Sequence, residues 1–195
     1  MKLSVGEFEA MQMPWRKWWI EKIELDYFKS FGMNLEGKRI LEVGCGSGYA
    51  ASLLLKENPN EYIGIDIMPE QIALAEEKNL SRARFIVGDA GNLTDFKSGV
   101  IDAIFDFCIL HHVVGWRKFF DDSYRVLRQG GSIYLADLSK RCIHITDFFL
   151  HWDHNEECLF TFKELEEQAE HSGFTISKRK NLMGLEAVYK FTKEV

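Results

Sequence analysis

Five short apolar runs, residues 39–43, 62–67, 83–87, 101–107 and 132–137, recur along the chain, and segments of helical character at 49–57, 69–78 and 117–128 fall between them. This alternation constrains the fold more than any other feature. Strands joined by helical crossovers run parallel, and a parallel sheet needs helices over both faces. The expected architecture is α/β, a doubly wound Rossmann-like sheet. Past Asp137 the pattern changes to a histidine- and aromatic-rich segment, a helix at 162–171, and two runs, 174–180 and 185–193, that meet across 181–184. The pair reads as an antiparallel hairpin closing one sheet edge, so the sheet is mostly parallel with an antiparallel C-terminal strand.

With 195 residues, 46% of them apolar, the chain is expected to form one compact domain burying roughly 70% of its unfolded surface. Twenty-four Lys and Arg against thirty Asp and Glu leave a formal charge of −6, which provides no general attraction for phosphate backbones. No nucleic-acid partner is expected. Four cysteines, far apart and without a C-x-x-C pair, suit a reducing cytoplasm. The N-terminus lacks the basic and apolar regions of a leader, and no apolar run approaches the roughly 20 residues that span a bilayer. A cytoplasmic location is the expectation.

In doubly wound sheets, ligands gather beyond the carboxyl ends of the strands. The first strand ends in Glu42-Val43-Gly44-Cys45-Gly46-Ser47-Gly48, whose glycines permit a sharp turn and the close approach of a ligand. Alone, such a loop is as often a plain turn. The second strand ends in Asp66, 22 residues after Gly44, the spacing at which a carboxylate meets the hydroxyls of a ribose held above the loop. Capping of the next helix would be its bland use, but Pro69 suits the first helical position and puts Met68 at the cap. The third strand ends in Gly88-Asp89-Ala90, where an acid can accept from an exocyclic amine. The fourth runs through Asp106 and Phe107 into Cys108-Ile109-Leu110-His111-His112-Val113.

Taken in order, these pieces, with Arg125-Val126-Leu127-Arg128-Gln129-Gly130-Gly131, resemble the class I S-adenosylmethionine-dependent methyltransferases over about 100 residues. The resemblance is closest to the small-molecule branch that includes the ubiquinone and menaquinone C-methyltransferases. It implies S-adenosylmethionine as cofactor and a small-molecule acceptor. The backbone of Gly44, Gly46 and Gly48 would face the methionine part, with Glu42 organising that end. Asp66 would hold the ribose, Ile67 and Met68 the adenine face, and Asp89 with Ala90 the adenine edge. Asp106 would pair with the cofactor ammonium and Phe107 would line the reacting centre. The chain then divides into an N-terminal lid region (1–34), a cofactor-binding core (35–137), an acceptor-pocket insert (138–160) and a closing helix and hairpin (161–195). The Asn/Asp-Pro-Pro-Tyr/Phe signature of certain nitrogen methyltransferases does not follow the fourth strand, which argues against DNA adenine or protein glutamine as acceptor.

Two rival readings stay open. Gly46, Gly48 and Ala51 also read as G-x-G-x-x-A of a nicotinamide oxidoreductase, although the chain lacks room for a second nucleotide-binding half. A cofactor-binding scaffold without turnover is the other. If the acceptor must lose a proton, His111 and His112 are the candidate bases, with His112 preferred; period-two alternation would allow only one of them to face the pocket. Trp15, Trp18 and Trp19 fall on one helical face, expected either to close over the cofactor or, less readily, to contact a membrane. Finally, His144, Asp147, His151, His154 and Cys158 would share an arc of about 80° on one unbroken helix, as a metal site or as a polar pocket wall.

Overall fold

The computed structural model describes residue 6 and residues 13–195, the side chains of Lys178 and Lys180 excepted. Seven strands form one sheet: β1 (Arg39–Val43), β2 (Glu61–Asp66), β3 (Ala83–Val87), β4 (Ile101–Phe107), β5 (Leu127–Leu138), β6 (Phe174–Leu182) and β7 (Glu186–Lys193). Their order is β3-β2-β1-β4-β5-β7-β6. The strands from β3 to β5 pair in parallel, while β7 lies antiparallel between β5 and β6. The α/β, mostly parallel sheet with its C-terminal hairpin is the architecture expected. β5 begins earlier than its apolar run, because Gly130 (φ 74) and Gly131 let the strand continue through an irregularity opposite Ile101 and Ala103.

Helix α1 (Pro14–Trp19) passes through a π-helical turn (Ile20–Glu24) into α2 (Leu25–Ser30); α3 (Tyr49–Leu54), α4 (Pro69–Glu76), α5 (Trp116–Val126), α6 (Lys140–Leu150) and α7 (Phe162–His171) follow. Local chemistry sets their starts. Pro69 occupies the first turn of α4 behind a Met68 cap, Ser139 caps α6 by accepting from the Cys142 N–H, and Thr161 with Glu164 forms a reciprocal capping box on α7.

Alternation along the strands divides the interior in two. Val43, Ile104 and Leu135 point to the face covered by α5 and α7, where Trp116, Phe119, Phe120 and Leu165 are buried. Ile40, Phe105 and Tyr134 point to the other, against Phe28 of α2, Leu54 of α3 and Ile72 of α4. Each such large side chain contributes about 1.5–3 kcal/mol by leaving water. The chain lays β2 and β3 to one side of β1 and then returns to place β4 on the other. The carboxyl ends of β1 and β4 therefore flank the crevice where this topology binds ligands. Among the described residues no helix is long and apolar enough to cross a membrane.

Candidate active site

Two cavities open at that crevice. The smaller, about 90 Å³, is a cleft lined by Gly44, Asp66, Ile67, Asp89 and Ala90, with Ile109 and His112 to Gly115 on its far wall. All five strand-end residues come from the sequence set, brought together from β1, β2 and β3. Gly44 (φ 64), Gly46 (φ 51) and Gly48 (φ 74) all take left-handed conformations. A Cβ on Gly44 would stand 2.2 Å from the Ile109 side chain, so only glycine lets that wall approach. Asp66 accepts from the Gly46 N–H (2.9 Å) and the Met68 N–H (2.9 Å), tying the glycine loop to the end of β2. Burial raises its carboxyl above the usual range against the opposing effect of these bonds. Asp89 accepts from the Gly91 N–H at 2.8 Å.

Other members of the set lie elsewhere. Glu42 lies beneath the loop, 2% exposed, and accepts from the Tyr62 hydroxyl at 2.6 Å. Burial pushes it up to about 8, so it holds its proton at neutral pH. Asp106 is fully buried, lines neither cavity, and accepts from the Ile109 N–H at 3.0 Å. Burial and the neighbouring Asp137 carboxylate drive it well above the ordinary carboxylate range. The Phe107 ring is packed between Phe28 (5.5 Å) and Phe105 (6.1 Å) and lines neither cavity, because it takes the opposite face of β4 from Asp106.

The larger cavity, about 420 Å³, is predominantly apolar, walled by Trp15 and Trp19 of α1, Leu138, Ile143 and Leu150, and Trp152. The N-terminal helix thus covers this cavity and not the cleft, and Trp18 is not among its lining residues. Its position is fixed by Arg16, which donates to Glu24 (2.7 Å) and to the Phe107 carbonyl (3.0 Å), both bonds buried. Burial, only partly offset by Arg16, pushes Glu24 up to about 7. Trp19 donates its indole N–H to Glu186 at 3.0 Å.

His112 lines both cavities. His111 and His112 both reach the larger one, contrary to strand alternation, because β4 ends at Phe107 and residues Leu110–His112 form a 3-10 turn. The His111 Nδ1 meets Asp137 Oδ1 at 2.5 Å. Burial first, then the neighbouring imidazoles of His111 and His154, lowers His112 to about 2; it is neutral throughout the physiological range and a weak proton acceptor. The sequence does hold a signal for Asp137, an acid at the end of the apolar run of β5 as Asp66 is at the end of β2. It holds none for the Arg16–Glu24 pair, which depends on the π-helical turn.

The five candidate ligands past Asp137 do not share a helix. α6 stops at Leu150 and His151 turns the chain with a left-handed φ of 56. His144 meets Glu156 on the surface (2.8 Å), and Cys158 is buried outside the residues lining either cavity. Only His154, oriented by Asp147 at 2.6 Å, comes back over the site, its ring 4.9 Å from that of His112.

Known proteins resemble the chain in sequence and in fold. Residues 41–135 match the family described as a methyltransferase domain. Over those residues, just under half of the chain, it is similar to the class I S-adenosylmethionine-dependent methyltransferases. It is 39% identical over 108 residues to the phthiotriol/phenolphthiotriol dimycocerosates methyltransferase of Mycobacterium leprae, covering 54% of this chain and 40% of that protein. It is 33% identical over 121 residues to the fatty-acid O-methyltransferase of Mycolicibacterium smegmatis, covering 61% and 44%. The matched segment therefore spans about two fifths of these curated relatives. In structure it is similar to a SAM-dependent methyltransferase from Aquifex aeolicus, with TM-score 0.76, 17% identity and coverage of 98% of this chain and 100% of that one.

Proposed function

We propose that the chain transfers a methyl group from S-adenosylmethionine to an oxygen of a small-molecule acceptor with an apolar body. The observation that carries this is the shared wall: His112 borders both a cleft with a nucleoside's partners and a separate apolar cavity. The lining of the cleft suits the nucleoside part of the cofactor. The glycine loop leaves backbone where a Cβ would collide, Asp66 would hold the ribose, Ile67 would offer an apolar surface for adenine, and Asp89 an acceptor for its amine. When bound, the cofactor supplies a methyl group already activated on a sulfonium, so the protein's task is alignment and, where needed, removal of a proton.

The apolar walls would hold the acceptor body and exclude water, while Trp15 and Trp19 close it from above. Its reacting oxygen would rest against the imidazoles at the boundary. Asp137 and Asp147 each meet the Nδ1 of a histidine, which holds the rings of His111 and His154 at that place. Residues 15–24 of the N-terminal lid region 1–34 and the insert 138–160 act as one unit with the core in this reading, because both wall the acceptor cavity. Two relatives are a phthiotriol/phenolphthiotriol dimycocerosates methyltransferase and a fatty-acid O-methyltransferase, in keeping with the apolar lining. Four free cysteines fit a reducing cytoplasmic setting.

A nicotinamide reading is disfavoured by the sheet, which continues past β5 as an antiparallel hairpin and not as a second nucleotide-binding half. The test is calorimetry with S-adenosylhomocysteine and with NAD, followed by mass spectrometry of long-chain fatty acids and alcohols incubated with protein and cofactor. Binding of S-adenosylhomocysteine alone and a methylated product are expected. Cofactor binding without any methylated product across such acceptors would favour the scaffold reading, and NAD binding the oxidoreductase.

A further inference from the structure

We propose that His111, His112 and His154 form a site for one divalent metal ion of the zinc type, open toward the large cavity. The three imidazoles come from separate segments, two from the 3-10 turn after β4 and one from the loop after α6. Each offers a ligand atom, and these atoms lie within 4.8 Å of one another, with all three residues buried. The ring centroids are 4.1 Å (His111 to His112), 4.9 Å (His112 to His154) and 5.6 Å (His111 to His154) apart. Nitrogens bound to one tetrahedral zinc at about 2.0–2.1 Å stand roughly 3.4 Å from each other. Small side-chain rotations close the difference.

Two further observations point to a metal and not to a chance cluster. First, two of the three imidazoles are held by a carboxylate at one ring nitrogen: Asp137 on the His111 Nδ1 at 2.5 Å and Asp147 on the His154 Nδ1 at 2.6 Å. A histidine whose Nδ1–H donates to a carboxylate has its lone pair fixed on Nε2, which is how metal-binding imidazoles are oriented and made more basic. Second, the His112 Nδ1 is buried and has no hydrogen-bond partner among the described residues, a condition a ligand would relieve. Asp137 itself belongs outside the ligand set. It already accepts from the His111 N–H (3.2 Å), the Leu138 N–H (2.6 Å) and the His111 ring, which leaves little lone-pair capacity.

Three neutral nitrogens with no thiolate suit zinc, and three protein ligands with a cavity beside them describe an open site. His111, His112 and His154 all line the large cavity, so the open position would meet an acceptor oxygen and polarise it. This last step rests on the methyl-transfer reading; metal binding does not.

The experiment uses the full chain purified without a histidine tag, stripped of metal and titrated calorimetrically with zinc, with no cofactor or acceptor present. One zinc per chain is expected, weakened about a hundredfold or more in His112→Asn and in His154→Ala, and about tenfold in Asp147→Asn. His144→Ala, an exposed histidine paired with Glu156, should bind as the wild type does. Substitution with cobalt should give the visible absorption of a four-coordinate site, lost in the same variants. Circular dichroism identifies any variant that has unfolded, and Asp147→Asn then serves, since it leaves all three ligands in place. No saturable zinc binding, or binding unchanged in His112→Asn, His154→Ala and Asp147→Asn, or weakened equally in His144→Ala, would overturn the site. A chain that binds zinc but transfers no methyl group keeps the site and overturns the transfer reading; methyl transfer without zinc binding does the reverse.

Discussion

Replacing Glu42 by glutamine should change the pH dependence of stability more than stability itself. Glu42 is buried beneath the glycine loop, hydrogen-bonded to the Tyr62 hydroxyl, and raised from an ordinary 4.5 to about 8. A carboxyl raised in the folded state contributes its stability below its unfolded pKa and loses it as pH rises through the folded one. Over 4.5 to 8 the unfolded chain ionises while the folded chain keeps its proton. At about 1.36 kcal/mol per pH unit, the wild type should lose about 3–4 kcal/mol from this group between pH 5 and pH 8. The substituted amide cannot ionise, yet its carbonyl can still accept from Tyr62. Urea titrations of both proteins at the two pH values measure the effect. Any cost of burying the amide is the same at both pH values and cancels in the comparison. The stability of the variant relative to wild type should therefore rise by about 3 kcal/mol from pH 5 to pH 8. A difference independent of pH would show that Glu42 is ionised in the fold, and the account of its protonation would be wrong.

Asp66→Ala should weaken binding of S-adenosylhomocysteine by about 1.5–3 kcal/mol, read by calorimetry, the usual worth of hydrogen bonds to a charged group; unchanged affinity in a folded variant would remove Asp66 from the ribose. Gly44→Ala should lose cofactor binding, because the new Cβ meets Ile109 and a left-handed φ, and adding Ile109→Ala should restore part of it, as the direct clash is with that side chain. Trp19→Ala should raise the KM for an apolar acceptor while leaving cofactor affinity intact, since Trp19 lines only the larger of the two cavities. Weakened cofactor binding with normal acceptor kinetics would put α1 over the wrong ligand.

The parallel sheet and the cleft were legible because short-range rules govern them. An apolar run ending in glycines or an acid says where a strand stops, and Gly44, Asp66 and Asp89 need only those stops to converge. Side-chain direction beyond a strand end is another matter. His111 and His112 depart from alternation because a 3-10 turn intervenes, and Phe107 goes into the aromatic cluster under α2 because β4 is still regular there. The tertiary partners decided the rest. α1 covers the larger cavity through the Arg16–Glu24 pair, a contact between residues eight apart that runs through a π-helical turn. His154 meets His112 only because His151 ends the helix in a left-handed conformation, which an assumed unbroken helix could not show.

The most direct measurement is a crystal structure with S-adenosylhomocysteine bound. The account predicts the ribose hydroxyls on Asp66, the adenine against Ile67 and Asp89, and the sulfur directed at the wall formed by His112, with the apolar cavity beyond it left for the acceptor. A nucleoside lying instead in the cavity under Trp15 and Trp19, with Asp66 making no contact to it, would contradict the division of labour between the two cavities.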